Sequence, residues 1–253
     1  MTDIDGLKQA FDHEGFVCLR GFLSGGEVSE VNFALDRYLE DRVPTLDKDQ
    51  VLYETLGGER VLKQLVDMHR VDPFFDGILN DRRTVDLATG LLGEPASPRT
   101  VEYFYKAPRV GTPTPAHQDG FYFCLKPNHA LTLWLALVDC DGENGCLNYV
   151  RGSHLAGIQG HGDSGVVGFS QGLKGVDWDE ADVARMQLHA GDLLVHHSKT
   201  IHFADANTSD RPRRALGMVY FANSSERDEA AWEHYQNSLT RQRENSQQQR
   251  LHA

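Results

Sequence analysis

His117 and Asp119 stand two residues apart in the segment Thr114-Pro115-Ala116-His117-Gln118-Asp119-Gly120. Alternate side chains of an extended chain project to the same face, so this imidazole and carboxylate can reach one metal ion. A second pair of the same kind, His161-Gly162-Asp163, lies in the glycine-rich stretch Gly160 to Gly168 with no strand signal before it. Metal ligands belong on rigid elements, and the first pair has the better claim to one. The segment Gly191 to His202 offers His196, His197 and His202 as a third ligand from a distant strand; spacing alone does not choose among them. Two histidines and one carboxylate leave positions open on an octahedral ion, which lets Fe(II) take a bidentate organic acid and dioxygen together. Downstream, Arg213, Ala215, Gly217 and Val219 share one face of a strand. If that face looks into the site, the Arg213 fork is suited to pairing with a carboxylate in a confined space. Arg211 and Arg214 read as solvated charges.

The elements that position these groups fall into three parts. Residues 1–98 read mainly as helix, apart from a short apolar run at Gly15 to Leu23. Ser24-Gly25-Gly26-Glu27 is a capping-box signature for a helix with Val28, Val31, Leu35, Tyr38 and Leu39 on one face, ending before Pro44. Further helices are expected near Arg60 to Met68 and from Asp72-Pro73 to about Leu92, the latter broken near Asn80-Asp81. From Arg99 the pattern changes to short aromatic and β-branched segments: Arg99 to Lys106, Gly120 to Leu125, Ala130 to Val138, Cys146 to Val150, Leu193 to His197, Thr200 to Ala204 and Arg213 to Ala222. Seven such strands predict a closed or sandwiched antiparallel β-fold over 99–223. Residues 224–253 read as a polar helix, frayed over Gln247 to Ala253. With no linker between them, the three parts are expected to form one domain, 1–253.

The chain has 253 residues, 40% of them hydrophobic, and a formal net charge of −12. That balance argues against nucleic acid or an anionic membrane as partner. The absence of a long apolar run, and of a basic segment leading into an apolar one near Met1, makes a cytoplasmic location the expectation. The four cysteines show no Cys-x-x-Cys spacing and are expected to be reduced and packed.

His117-Gln118-Asp119, the Ala130 to Val138 strand with Trp134, Glu143-Asn144-Gly145-Cys146-Leu147, Arg151-Gly152-Ser153-His154, Gly191-Asp192, His202 and an arginine eleven residues later occur in an ordered series. That series resembles the phytanoyl-CoA dioxygenase family of Fe(II)/2-oxoglutarate oxygenases, which includes ectoine hydroxylase. The resemblance implies a mainly β fold with flanking helices around a double-stranded β-helix, or jelly roll. It implies Fe(II) on His117, Asp119 and His202, Arg213 on the distal carboxylate of 2-oxoglutarate, and Trp134 lining the cosubstrate pocket. Thr132 shares the strand face of Trp134 and is added to that pocket; Lys63 lies near where the family can supply a further contact. The implied reaction is hydroxylation of a small-molecule metabolite by O2, with release of succinate and CO2. In related halogenases the carboxylate position is vacated for chloride, so Asp119 favours hydroxylation, with desaturation or cyclisation as variants.

Blander readings compete. A cupin-type isomerase would need no cosubstrate, and a non-catalytic ligand-binding jelly roll would need no metal; Arg213 argues against the first, and the paired ligands against the second. His154 is expected to organise its turn, one of His196 and His197 to point inward and the other outward, and Cys146 and Leu147 to pack. The acidic balance also disfavours a coenzyme A thioester. Phe121, Tyr122, Phe123 and Tyr103 to Lys106 point to an aromatic-walled pocket for a small metabolite with an acidic or cationic group. The glycine-rich stretch Gly157 to Asp179 is expected to be an irregular lid ordered by substrate.

Overall fold

The computed structural model describes residues 3–251 except Gly57. Its strands are β1 (Phe16–Leu19), β2 (Val51–Leu56), β3 (Glu59–Leu65), β4 (Ala96–Lys106), β5 (Thr114–His117), β6 (Leu125–Lys126), β7 (Ala130–Ala136), β8 (Leu147–Val150), β9 (His161–Val166), β10 (Phe169–Leu173), β11 (Val183–Arg185), β12 (Leu193–His197), β13 (His202–Ala204), β14 (Arg213–Ala222) and β15 (Glu226–Arg227). The helices are α1 (Ile4–Glu14), α2 (Gly25–Asp41), α3 (Pro73–Leu79), α4 (Arg82–Leu92), α5 (Asp119–Phe123) and α6 (Glu229–Leu251).

A large antiparallel sheet runs in the order β1-β12-β7-β14-β4-β3-β2, and a smaller one in the order β11-β8-β13-β5. Alternation along β7 shows how they are layered. Leu131, Leu133 and Leu135 join a core shared with Val31, Leu35, Tyr38 and Leu91 of α2 and α4, whereas Trp134 and Ala136 join a second core with Leu147, Tyr149 and Ala204 of the small sheet. Both faces of β7 are therefore covered, which is why Ala130–Ala136 reads as a nearly unbroken apolar run. Each fully buried Leu in such a strand contributes roughly 2 kcal/mol as an upper figure. The architecture is mainly β with flanking helices around a jelly-roll core.

The α2 capping box is present: the Ser24 hydroxyl accepts from Glu27 N–H, and the Glu27 carboxylate accepts from Ser24 N–H. The break between α3 and α4 falls at Asn80-Asp81, where the Asp81 carboxylate caps α4.

Four sequence expectations are corrected. Arg60 to Met68 is not helical; β3 pairs with β2 and with β4 through Gln64↔Phe104 and Leu65↔Tyr103, so sheet extension overrides local helix preference. Residues 1–98 thus contribute a hairpin to the large sheet. Gly120 to Leu125 is not a strand, because the helical turn α5 sends its three rings to different neighbours: Phe121 stacks on His161, Tyr122 meets His117 and Phe123 meets Phe221. The stretch Gly157 to Asp179 contains the regular hairpin β9–β10. Arg214 is not solvated: it is half-buried on α2, donating to Asp36 (2.5 Å) and to the Tyr103 hydroxyl (3.3 Å). The last two residues of the tail expected to fray, Gln247 to Ala253, lie outside the described residues.

Candidate metal and cosubstrate site

Strand pairing brings the distant ligands together. β13 lies between β5 and β8, with His202 opposite both His117 and Tyr149. The imidazole rings of His117 and His202 stand 4.1 Å apart between centroids. Asp119 opens α5 directly after β5, and its anchoring is local: Gly120 N–H donates to Ser198 O at 2.7 Å, and Asn128 donates to Gly120 O at 2.7 Å. A Cβ on Gly120 would lie 2.4 Å from Asn128 Oδ1, so only glycine permits this approach.

Hydrogen bonds set the ring nitrogens. His117 Nδ1 is 2.8 Å from Pro115 O and His202 Nδ1 is 3.0 Å from Thr200 O. A carbonyl only accepts, so both Nδ1 atoms carry the proton and both Nε2 lone pairs are free. Those Nε2 atoms stand 3.6 and 3.5 Å from Asp119 Oδ1. The other carboxylate oxygen, Oδ2, accepts from the Thr132 hydroxyl at 2.7 Å and from His196 Nε2 at 3.0 Å. His196 in turn accepts at Nδ1 from the Tyr149 hydroxyl at 2.8 Å. One oxygen is thus held by its neighbours while the other faces the two histidines.

Burial works against a charge on Asp119, but the surrounding histidines, His202 foremost and His196 through its hydrogen bond, outweigh it and hold the carboxyl well below its usual range. Burial, reinforced by repulsion from His117 and His196, pushes the His202 pKa well below its ordinary value, favouring the neutral ligand form. Two neutral imidazoles and one ionised carboxylate suit a divalent first-row metal, and the donor atoms of His117, Asp119 and His202 all lie within 4.8 Å of one another.

Arg213 enters from β14 and is 4% exposed. Its guanidinium sits 5.4 Å from the Trp134 ring, its Nε has no hydrogen-bond partner, and one terminal nitrogen is 3.5 Å from Phe104 O. Burial lowers its pKa, with Cys140 and Tyr103 opposing. A buried guanidinium with an unused donor is costly unless an anion meets it. Arg213 and Trp134 line a cavity of about 50 Å³ together with His117, Asp119 and His202. A neighbouring cavity of about 180 Å³ shares His117, Asp119, Thr132, Phe104 and Phe169. A much larger groove, about 1040 Å³ between α1, β1 and α4, holds no comparable donor set, so chemistry and not size locates the site.

Thr132 lines both cavities, with its hydroxyl committed to Asp119. Lys63 is buried against Glu54 (3.1 Å) and the Thr112 hydroxyl (2.6 Å). The competing His161 accepts from Gln118 N–H and stacks on Phe121, outside the ligand set. His154 donates from Nε2 to Asp12 O, tying its turn to α1. Sequence reasoning left His196 open between inward and outward and missed Lys106 and Glu102. Lys106 pairs in register with Arg213, and burial together with the Arg213 and Lys63 charges pushes its pKa down to about 6. The signal was available in β4, where alternation puts Glu102, Phe104 and Lys106 on one face.

Jelly-roll sheets enclosing a two-histidine, one-carboxylate face beside a buried arginine define the class of iron- and 2-oxoglutarate-dependent oxygenases. The model of the family described as Phytanoyl-CoA dioxygenase (PhyH) matches residues 11–215, and the chain belongs to that family. A similar protein is Phytanoyl-CoA dioxygenase domain-containing protein 1 of Bos taurus, 26% identical over 251 residues, covering 82% of this chain and 86% of that one. Among solved structures, the epimerase SnoN in complex with Fe3+, alpha ketoglutarate (2-oxoglutarate) and nogalamycin RO is 27% identical, with a TM-score of 0.73 over 88% of this chain and 84% of that one. EctD from S. alaskensis with 2-oxoglutarate and 5-hydroxyectoine shares the fold at 21% identity, with a TM-score of 0.71 over 88% of this chain and 77% of that one. Among the described residues no helix is long and apolar enough to cross a membrane.

Proposed function

We propose that this chain, acting as a single oxygenase domain in the cytoplasm, hydroxylates a small-molecule metabolite with O2 and 2-oxoglutarate, releasing succinate and CO2. In this reading Fe(II) is held by His117, Asp119 and His202, and Arg213 pairs with the distal carboxylate of 2-oxoglutarate while Trp134 walls the acid's pocket. The observation that carries it is the convergence of three preset ligand atoms and one anion-seeking guanidinium on the same cavity. Iron bound there supplies open coordination positions for the cosubstrate and dioxygen and the oxidising power for C–H chemistry. His117 and His202 offer Nε2 because carbonyls hold their Nδ1 protons. Thr132 and His196 hold Asp119 to one donor oxygen. Phe104 and Phe169 line both cavities and put apolar surface beside the metal face.

A second reading is stereochemical inversion or ring closure by the same apparatus, favoured by the likeness to an epimerase. Both readings are tested by supplying Fe(II) and 2-oxoglutarate under 18O2 with a metabolite library and measuring succinate and labelled product. Hydroxylation is expected to place one 18O in the product for each succinate formed. Succinate with an unlabelled isomer would replace hydroxylation by the second reading, and no succinate under any condition would overturn both and favour a cupin-type isomerase or a ligand-binding module.

A further inference from the structure

The larger of the two cavities carries a charged group with no use in metal or cosubstrate binding. Glu102 lies on the inner face of β4, opposite Gly217 of β14, which is itself opposite Trp134 of β7. Its neighbours on that strand, Val101 and Tyr103, point to the apolar core on the other side. Gly217 lets the Phe104 ring lie close against β14 beside the carboxylate; a Cβ there would lie 2.6 Å from that ring. Among the described residues the hydrogen bond to the Glu102 side chain comes from Gln64 Nε2, at 2.8 Å. Gln64 is itself 6% exposed, and its Oε1 has no partner. An ionised carboxylate only accepts, so Gln64 must turn its NH2 to Glu102 and its carbonyl away. Both residues line the cavity that contains His117 and Asp119.

The result is an amide oxygen, Gln64 Oε1, with no donor among the described residues, beside a carboxyl group whose hydrogen bond comes from Gln64 Nε2. The protein charges acting on Glu102 are Asp119 and Asp67, both anionic; burial, with smaller contributions from those two, pushes its carboxyl up to about 7 against the pull of the Gln64 bond. Four aromatic rings, Phe104, Tyr122, Phe123 and Phe169, line the same cavity. Aromatic faces around a carboxylate suit an ammonium ion, which donates to the acceptors and meets the ring quadrupoles with its charge. Neutral alcohols satisfy the acceptors without the charge, and carboxylates are repelled.

We infer that Glu102 and Gln64 form the specificity subsite of this enzyme and that its substrate is a small primary or secondary amine, bound as the ammonium ion. The inference rests on the oxygenase reading for the identity of the cavity as a substrate site.

The test is calorimetric titration with primary ammonium ions from methylammonium to phenethylammonium, each matched with its alcohol and carboxylate. It is run on metal-free protein and on the anaerobic Fe(II) and 2-oxoglutarate complex. The best ammonium ion is expected to bind at least about tenfold more tightly than its alcohol, with no measurable binding of the carboxylate. Glu102→Gln should remove that preference while the Fe(II) and 2-oxoglutarate charge-transfer absorption still forms. Alcohols matching the ammonium ions, carboxylates binding better, or an unchanged preference in Glu102→Gln would each overturn the assignment. The comparison among ligands on the unmodified protein stands without the variant. Failure of the absorption band in the unmodified protein would count against the oxygenase reading, whereas the metal-free titration judges the amine subsite separately.

Discussion

Adjacent residues of β12 lead to two histidine clusters with different chemistry. His196 turns to the inner face, beside His202 (4.4 Å between ring centroids) and onto Asp119. His197 turns to the opposite face, among Phe11, His129 and His154. The inner cluster surrounds a buried carboxylate and keeps two Nε2 lone pairs free. The outer cluster spends one nitrogen of each ring on the fold: His197 Nδ1 accepts from Lys199 N–H, His154 Nε2 bonds Asp12 O, and His129 Nδ1 pairs with Glu94 at 3.3 Å near the surface. The histidines between residues 117 and 202 therefore serve both a metal face and packing. The carboxylate at the centre is what separates them.

The largest expected break in this comparison comes from removing that carboxylate. Asp119→Ala should weaken Fe(II) binding by at least about a thousandfold and abolish succinate formation, measured by metal titration and product assay; no comparable loss should follow from His197→Leu. Next, Arg213→Ala should weaken 2-oxoglutarate binding about a hundredfold or more, with Fe(II) affinity unchanged, which equilibrium binding separates. His196→Phe keeps a ring in place but removes one of two bonds to Asp119 Oδ2, and about 10- to 100-fold weaker metal binding is expected. Were His196 only packing, metal affinity would not move.

The smallest effect is on stability. Burial, followed by the charges of Lys199, His154 and His129, holds the His197 pKa down to about 2. Its unfolded value is about 6.5, so the unfolded chain binds a proton below that pH and the native fold does not. Native stability from this group is present above pH 6.5 and declines as pH falls, by at most about 1.4 kcal/mol per unit. His197→Leu should cost about 1–2 kcal/mol at pH 7, and the loss of about 2 kcal/mol by the unmodified protein at pH 5 should remove or reverse that deficit in urea unfolding. A deficit independent of pH would mean that His197 titrates freely in the fold.

Part of the candidate site was legible because His117, His202 and Arg213 lie on strands. The His117-x-Asp119 pair and the Arg213 face follow from alternation, whereas only the family resemblance picks His202 out of three histidines. What escaped depends on long-range pairing. Arg60 to Met68 has no periodic mark that it will join β4, and only that pairing brings Gln64 beside Glu102. The aromatic run Phe121-Tyr122-Phe123 has strand composition, yet the chain turns at Asp119 because Ser198 and Asn128 anchor Gly120. Arg214 looked solvated because nothing local shows that α2 covers that face of β14. Composition identifies residue types, whereas pairing partners decide which of two faces a charge meets.

The most direct measurement of the central claim is anaerobic titration of the metal-free protein with Fe(II) and then 2-oxoglutarate, followed by visible absorption. The weak charge-transfer band of an iron-chelated 2-oxo acid is expected in the unmodified protein and in His197→Leu. It should be absent in Asp119→Ala and require far more 2-oxoglutarate in Arg213→Ala. A band that survives Asp119→Ala with undiminished affinity, or that fails to form in the unmodified protein with iron bound, would contradict the account.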